Sequence, residues 1–479
     1  MQIQADTLVR EFTRELRNNN AGIFAGAGLS MPTGYVNWKG LLRNVIKDLG
    51  LNPDLEEDLV TVAQYYCNRA GGNRAQLSQT IFDHFSQTRK PTVNHEILAR
   101  LPIQTYWTTN YDKLIEQALV AANKVPDVKY TLKQLPITRQ DRDVVLYKMH
   151  GDVDHAAEAV ITKDDYEKYP HKMGVFVSAL KGDLIEKTFL FLGFSFSDPN
   201  IDYILSRVRA IYEENQRHHY CILREVSKDD KESEEDFVYR KLKQDYFVSD
   251  LSRFGIQTVL VSDYNEITAL LKQIEDRYKQ GSVFISAAAH EFGPWSEREG
   301  NEFFHKLSHW LVSSGRRVIT GFGVGIGSAV INGALSALDE MGRPVSEDHL
   351  VMRPFPQVET GGTSLKEKWT AYREAMISEG GIALFGFGNK LVGDEIVESG
   401  GMIEEFELAR AAGLKPIPLG CTGFASKTIW DTVNSSFEDF FPEASEKIKE
   451  LFQRLNQMPE NLDELLKTTT ELIKQIKED

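Results

Sequence analysis

The chain has 479 residues, 42% of them hydrophobic and 10% aromatic, which exceeds what one hydrophobic core usually organises and gives an expectation of two domains. With 70 acidic against 55 basic residues its formal net charge is -15, which opposes general attraction to nucleic acid or an anionic membrane surface, so neither is expected as a partner. No apolar run reaches the roughly 20 residues that span a bilayer, and the first turn of sequence carries Asp6, Arg10 and Glu11 rather than a signal-peptide core, so a cytoplasmic location is expected.

In chain order, short apolar runs alternate with helical patterns: Gly22-Ile23-Phe24-Ala25, Gln104-Thr105-Tyr106-Trp107, Val144-Val145-Leu146-Tyr147, Phe189-Leu190-Phe191-Leu192, Tyr220-Cys221-Ile222-Leu223 and Thr258-Val259-Leu260-Val261. Runs that are apolar at successive positions predict strands buried on both faces of a parallel sheet. An amphipathic helix from about Asn265 ends near Gly281, and the expected domains are residues 1–280 and 281–479.

Four of these runs end in small or polar residues, at the carboxyl ends of strands where open α/β sheets place their ligands. Gly26-Ala27-Gly28-Leu29-Ser30 makes a tight turn at which backbone amides can approach a pyrophosphate, although Met31 stands where the strict dinucleotide fingerprint has its third glycine. Thr33-Gly34-Tyr35 then predicts a mobile lid that brings an aromatic ring to the ligand. In Thr108-Thr109-Asn110-Tyr111-Asp112, the neutral amide of Asn110 can orient a ribose hydroxyl or a water, while Asp112 reads both as a cap for the helix Lys113–Val120 and as a cofactor contact. His150, followed by Gly151 and Asp152, can move a proton near neutral pH. Gly193 and Ser195, in Gly193-Phe194-Ser195-Phe196-Ser197-Asp198-Pro199-Asn200, complete the set.

The alternation restarts with Val283-Phe284-Ile285-Ser286, followed by a helix whose Phe303, Leu307, Trp310 and Leu311 share one face. Arg317-Val318-Ile319-Thr320 enters the loop Gly321-Phe322-Gly323-Val324-Gly325-Ile326-Gly327, and Ser328–Met341 reads as the helix that leaves it. The spacing of Gly321, Gly323, Gly325 and Gly327 is neither a Walker loop nor the dinucleotide pattern, but strand, loop and helix in that order favour phosphate binding. Strands are further predicted at Leu350–Met352, Ile382–Phe385 and Pro416–Leu419, and helix through the acidic tail from Ser445. Arg373, Lys390 and the pair Glu404-Glu405 offer cations for phosphate and carboxylates for hydroxyls. His305 and His309, with Lys306 between them, lack the glutamate of a zinc-protease motif and are assigned to a helix surface.

The Gly26 loop, the Asn110 segment, His150-Gly151 and Gly193-Phe194-Ser195 resemble, in order and approximate spacing, the sites of the sirtuin family over about residues 1–280. Val283–Ser286, Ser314-Gly315, the Gly321 loop, Phe385-Gly386-Phe387-Gly388-Asn389-Lys390 and Gly401–Phe406 resemble the SLOG family of nucleotide sensors. The two in tandem resemble the NADase effectors of Thoeris anti-phage defence. That resemblance implies an α/β fold of two Rossmann-like domains with parallel sheets. It implies NAD+ as substrate, Asn110 and His150 as catalytic residues, and Gly26, Ala27, Gly28, Ser30, Asp112, Gly193 and Ser195 around the dinucleotide. It also implies a cyclic ADP-ribose isomer, made by a TIR-domain partner, as activator held by the Gly321 loop, Arg373, Lys390 and Glu405, and a homotetramer as the assembly. With three cysteines (Cys67, Cys221, Cys421) the chain cannot build the four-cysteine zinc ribbon that supports the acyl-lysine groove of sirtuin deacylases, so NAD+ cleavage is expected without a metal. A protein deacylase or ADP-ribosyltransferase, and a non-catalytic nucleotide sensor, are the alternatives.

Overall fold

The structure is a computed structural model that describes residues 2–212, 216–229, 232–356, 358–359 and 364–478. The chain folds into two compact units, Met1–Glu275 and Asp276–Asp479, each a Rossmann-like α/β domain on its own parallel sheet.

In the first unit β1 (Ala21–Ala25), β2 (Thr105–Thr108), β3 (Pro126–Lys129), β4 (Val144–Lys148), β5 (Thr188–Leu192), β6 (His219–Arg224) and β7 (Ile256–Val261) lie in the order β3-β4-β2-β1-β5-β6-β7. Every neighbouring pair is parallel. The order reverses at β1, which pairs with β2 on one side and β5 on the other, so the loops that follow these strands flank a topological switch point. All five residues of β1 and of β5 are buried, as sequences apolar at every position but Thr188 require. Gly22 is what lets the Phe189 ring lie across β1, because a Cβ there would stand 2.7 Å from Phe189 Cε1. Trp107 stacks on Tyr147 with ring centroids 4.1 Å apart, and its indole N–H donates to Asp183 Oδ2 at 2.8 Å, so the polar handle of the largest core ring is satisfied.

β3 is an edge strand that the apolar pattern does not reveal. Its buried positions are Asp127 and Lys129, whose charges pair at 2.8 Å, and Arg142 reaches Asp127 at 3.1 Å. The strand is held by an ion-pair cluster where hydrophobic side chains would ordinarily announce it.

In the second unit β8 (Ser282–Ala288), β9 (Arg317–Thr320), β10 (Leu350–Met352), β11 (Ile382–Phe387) and β14 (Lys415–Pro418) form a parallel sheet in the order β10-β9-β8-β11-β14. A hairpin of β12 (Asn389–Val392) and β13 (Glu395–Glu398) stands apart from it. Helix Gly327–Glu340 leaves the glycine loop and packs on helix Glu297–Ser313. Gly333 allows that approach, since a Cβ there would come within 2.2 Å of the His305 carbonyl oxygen. His305 and His309 lie on this helix pair, His305 Nε2 facing Ser336 Oγ at 3.4 Å and His309 Nε2 facing Glu340 at 2.9 Å. The acidic tail belongs to the core: helices Glu446–Arg454 and Leu462–Glu478 bury Leu451, Phe452, Leu465, Leu472 and Ile473. No helix among the described residues is long and apolar enough to cross a membrane.

Candidate active site and second glycine loop

Four loops of the first unit, those after β1, β2, β4 and β5, are joined to one another by specific contacts. The β1 and β5 loops meet backbone to backbone. Gly26 N–H donates to Leu192 O and Gly28 N–H to Gly193 O, both at 2.9 Å. A Cβ at Gly26 would stand 2.4 Å from Gly193 O, at Gly28 2.7 Å from Gly193 Cα, and at Gly193, whose φ is +62°, 2.2 Å from Leu29 N. All three positions therefore need glycine for packing alone, and two of the amides are already engaged by β5 carbonyls. Ala27 opens the short helix Ala27–Ser30 that the contact supports.

Asn110 ties the β2 loop to this floor. Its Nδ2 donates to Gly26 O and to Ser30 Oγ, each at 3.1 Å, and its own N–H is held by Thr108 Oγ1 at 3.0 Å. Oδ1 accepts no hydrogen bond among the described residues. Asp112 accepts the Leu114 N–H at 3.0 Å through Oδ1, while Oδ2 is buried without a hydrogen-bond partner among the described residues. Burial pushes this carboxyl above its ordinary pKa, against the lowering influence of the Leu114 amide, Lys148 and Ser30.

His150 is 1% exposed and enters from the β4 loop, its carbonyl accepting Val160 N–H at 2.9 Å. Its Nε2 lies 3.1 Å from Asp198 Oδ2 of the β5 loop, a close contact that is angled off the line of an ideal N–H···O bond. Nδ1 is buried and has no hydrogen-bond partner among the described residues. Gly151 has φ +96°, which turns the chain immediately after the histidine, and a Cβ there would stand 3.2 Å from Ala159 Cα. Ser195 is exposed, with its hydroxyl 2.7 Å from that of Ser197. Tyr35 differs from the expected lid: its ring is 6% exposed, packs on Phe85 and under Arg89, and its hydroxyl donates to Gln87 O at 2.5 Å. The adjacent apolar cluster claims the aromatic ring.

Behind these groups sits Lys148, the last residue of β4 and fully buried. Its ammonium donates to the carbonyls of Asp112 at 2.7 Å and Tyr111 at 3.2 Å, meets Glu116 at 3.0 Å, and pairs closely with Asp152. One buried cation thus joins the Asn110 loop to the His150 loop, and burial alone would lower its pKa but Glu116 and Asp152 hold it above the ordinary value. Lys148→Met should leave two carboxylates without their counter-ion and destabilise the first unit by about 3–5 kcal/mol. Urea unfolding checks this; a loss below about 1 kcal/mol would mean that the cluster rearranges around a neutral side chain.

In the second unit the glycine loop docks on the turn after β8. A Cβ at Gly323 would stand 1.9 Å from Ala287 O and one at Gly325, with φ +78°, 2.0 Å from Ala289 O. Ala289 N–H donates to Val324 O at 2.9 Å, so the run Ala287-Ala288-Ala289 serves the loop through its backbone. Gly321 abuts Phe355, Gly327 abuts Phe322, and Phe322 and Val324 project 52% and 74% exposed. Nearby, Arg373 pairs with Glu404 at 2.9 Å and Glu405 at 3.4 Å and lies over the Phe355 ring at 5.0 Å. Ser286 of β8 donates to Glu405 Oε2 at 2.5 Å, and burial pushes the Glu405 carboxyl above its ordinary pKa despite Ser286 and Arg373. Lys390, on β12, is exposed and has no ion-pair partner among the described residues.

The family model described as a SIR2-like domain matches residues 104–249, and that of the Sir2- and TIR-associating SLOG family matches residues 266–476. The chain is 47% identical over 468 residues to the NAD(+) hydrolase ThsA of Bacillus cereus (strain MSX-D12), with 98% of each chain covered. It is 46% identical over 475 residues to the NAD(+) hydrolase ThsA of Acinetobacter baumannii (strain 532279), again with 98% of each covered. The chain belongs to the ThsA family. A more distant likeness, 27% identity over 216 residues to the defense-associated sirtuin 2 of Bacillus subtilis, covers 43% of this chain and 21% of that one.

In this ThsA-family chain the structure brings Gly26, Ala27, Gly28, Ser30, Asn110, Asp112, His150 and Gly193 to adjoining strand ends, with Ser195 at the exposed rim. Arg373 and Glu405 come together beside Ser286, while Lys390 stands on a hairpin. Lys148 and the pairing of Asp198 with His150 were not read from the sequence. Lys148 looks like an ordinary exposed cation at a strand end, and Asp198 lies 48 residues beyond His150 in a segment whose polarity fits a turn.

Proposed function

We propose that the first unit hydrolyses the nicotinamide–ribose bond of NAD+ to ADP-ribose and nicotinamide, and that a cyclic ADP-ribose isomer bound by the second unit switches this on to deplete NAD+ in anti-phage defence. The observation that carries the reading is the placement of an amide and an imidazole, Asn110 and His150, just past the carboxyl ends of the neighbouring strands β2 and β4, beside β1 and β5 loops that are locked together by glycines.

In the reaction the C1′–N bond breaks with its electron pair leaving on nicotinamide, and positive charge spreads over the ribose. Water oxygen bonds C1′ while His150 takes the released proton as general base. Asn110 presents Oδ1 to the ribose or the water and, being neutral, does not compete for the proton. Gly26, Ala27, Gly28, Ser30, Gly193 and Ser195 hold the phosphates and the adenosine side, and Asp112 is a further contact to the dinucleotide. In the second unit Arg373 and Lys390 meet the phosphates of the signal, Glu405 its hydroxyls, and Gly321, Gly323, Gly325 and Gly327 allow close backbone approach. A TIR-domain partner supplies the signal in the cytoplasm. No step requires a metal.

The competing deacylase reading is weakened by the cysteines: Cys67 and Cys221 are buried apart as free thiols and no four-cysteine ribbon is possible with three. Purified protein activated with a cyclic ADP-ribose isomer should release nicotinamide from NAD+ at the same rate with or without acyl-lysine peptides, with free ADP-ribose as the other product. Peptide-dependent turnover with loss of the acyl group would establish the deacylase, ADP-ribose attached to protein the transferase, and binding without turnover the sensor.

The reading includes assembly as a homotetramer. Support comes from helix Glu234–Ser252, which buries Val248 and Leu251 but leaves Val238, Tyr239, Leu242 and Tyr246 at 54%, 65%, 47% and 68% exposure on its opposite face. Leu242→Asp together with Tyr246→Asp should lower the mass measured by light scattering to that of a smaller oligomer, and an unchanged tetramer mass would place the interface elsewhere.

A further inference from the structure

We propose that Asp198 is a positioning residue that fixes the tautomer of His150, holding the proton on Nε2 so that Nδ1 is the basic atom. The inference rests on the reading of His150 as general base and specifies which ring nitrogen serves. The neutral imidazole has one donor and one acceptor nitrogen, and its partners decide which is which. Asp198 Oδ2 stands 3.1 Å from Nε2. A carboxylate there favours N–H at Nε2. Nδ1 then carries the lone pair; neither ring nitrogen makes a well-aligned hydrogen bond among the described residues, and it is Nε2 that has the carboxylate oxygen at 3.1 Å.

Three further contacts fix the carboxylate itself. Oδ1 accepts the N–H groups of Asn200 at 3.0 Å and Ile201 at 3.2 Å at the start of helix Pro199–Tyr212. Oδ2 accepts the hydroxyl of Tyr166 at 3.1 Å, and the Tyr166 ring also stands edge-on to His150 with centroids 5.5 Å apart. Burial alone would raise the Asp198 pKa, but His150, the Ile201 amide and Tyr166 hold it below the ordinary carboxylate range, so it is ionised where the enzyme works. The two oxygens have separate jobs. Oδ1 caps a helix, and Oδ2 faces the imidazole.

That separation gives the test. Asp198→Asn keeps an acceptor for the helix cap but can turn its NH2 toward Nε2, which draws the ring into the other tautomer. In full-length protein activated with a cyclic ADP-ribose isomer, Asp198→Asn should lower kcat for nicotinamide release by about a hundredfold or more. KM for NAD+ should stay within about threefold and the melting temperature should be preserved. Tyr166→Phe, which removes one donor to Oδ2 and leaves the carboxylate, should cost about tenfold or less. Imidazole nitrogen NMR, with the His150 signal identified by its loss in His150→Ala, should show Nδ1 unprotonated in the parent and protonated in Asp198→Asn. A parent ring protonated at Nδ1, or near-parent kcat in Asp198→Asn while His150→Ala is inactive, overturns the proposal. If His150→Ala retains full turnover, it is the general-base reading that fails. Should Asp198→Asn unfold, the parent's NMR tautomer still decides.

Discussion

Alanine at Asn110 or at His150 is expected to lower NAD+ turnover by at least about a hundredfold, the scale of a positioned general base and of an orienting amide in a site that must stabilise developing charge. Asn110→Ala removes the Oδ1 acceptor and frees the Gly26 carbonyl and Ser30 hydroxyl that Nδ2 now engages. The fold should survive, because Gly28 and Gly193 still hold the β1 and β5 loops together through backbone contact. His150→Ala leaves Asp198 still bound to Tyr166, Asn200 and Ile201, so the β5 loop keeps its anchor. Nicotinamide release by variants whose circular dichroism and melting match the parent checks both. Near-parental hydrolysis by either folded variant removes that residue from the mechanism.

The second large effect belongs to the proposed signal site. Lys390→Ala should raise the signal concentration for half-activation by roughly ten- to a hundredfold, the loss of one charge-assisted phosphate contact worth about 1.5–3 kcal/mol. The maximal rate should hold, since coupling depends on how much better the signal binds the active state. Arg373→Ala carries an added consequence. Arg373 already compensates Glu404 and Glu405, so its removal leaves the buried Glu405 carboxyl with Ser286 as its chief partner and favours the neutral acid. Its effect on activation should therefore exceed that of Lys390→Ala, with a measurable drop in melting temperature. Signal titrations with calorimetric binding separate the outcomes: unchanged binding and unchanged activation in both variants would exclude these cations from the sensor, while unchanged binding with lost activation would assign them to transmission.

The central strands were legible because buried parallel strands are written as consecutive apolar residues, and the candidate site residues stood out because Gly26, Asn110, His150 and Gly193 interrupt that pattern at strand ends, where open sheets generally bind ligands. The hidden features are polar groups satisfied by distant partners. β3 is held by Asp127 and Lys129, whose alternation with Pro126 and Val128 gives no apolar signal. Hairpin β12–β13 is mostly exposed and short. Lys148 is fully buried because four oxygens from three segments surround it, which its own neighbours in sequence do not announce. Tyr35 reads as a lid when its sequence is taken alone, but Phe85, Gln87 and Arg89 supply a packed place for it some 50 residues on. The glycine loops carry a further lesson. Their spacing suggests room for phosphate, and the geometry adds that the same glycines let two backbones touch.

The most direct measurement of the whole account is NAD+ consumption by the purified full-length chain as cyclic ADP-ribose isomers are titrated in one at a time, with the products resolved by chromatography. Little nicotinamide is expected without an isomer, then a saturable rise with at least one of them, nicotinamide and ADP-ribose appearing in equal amounts. Nicotinamide release that stays the same at every isomer concentration while calorimetry shows the isomer bound, or bound isomer with no NAD+ cleaved, would contradict it.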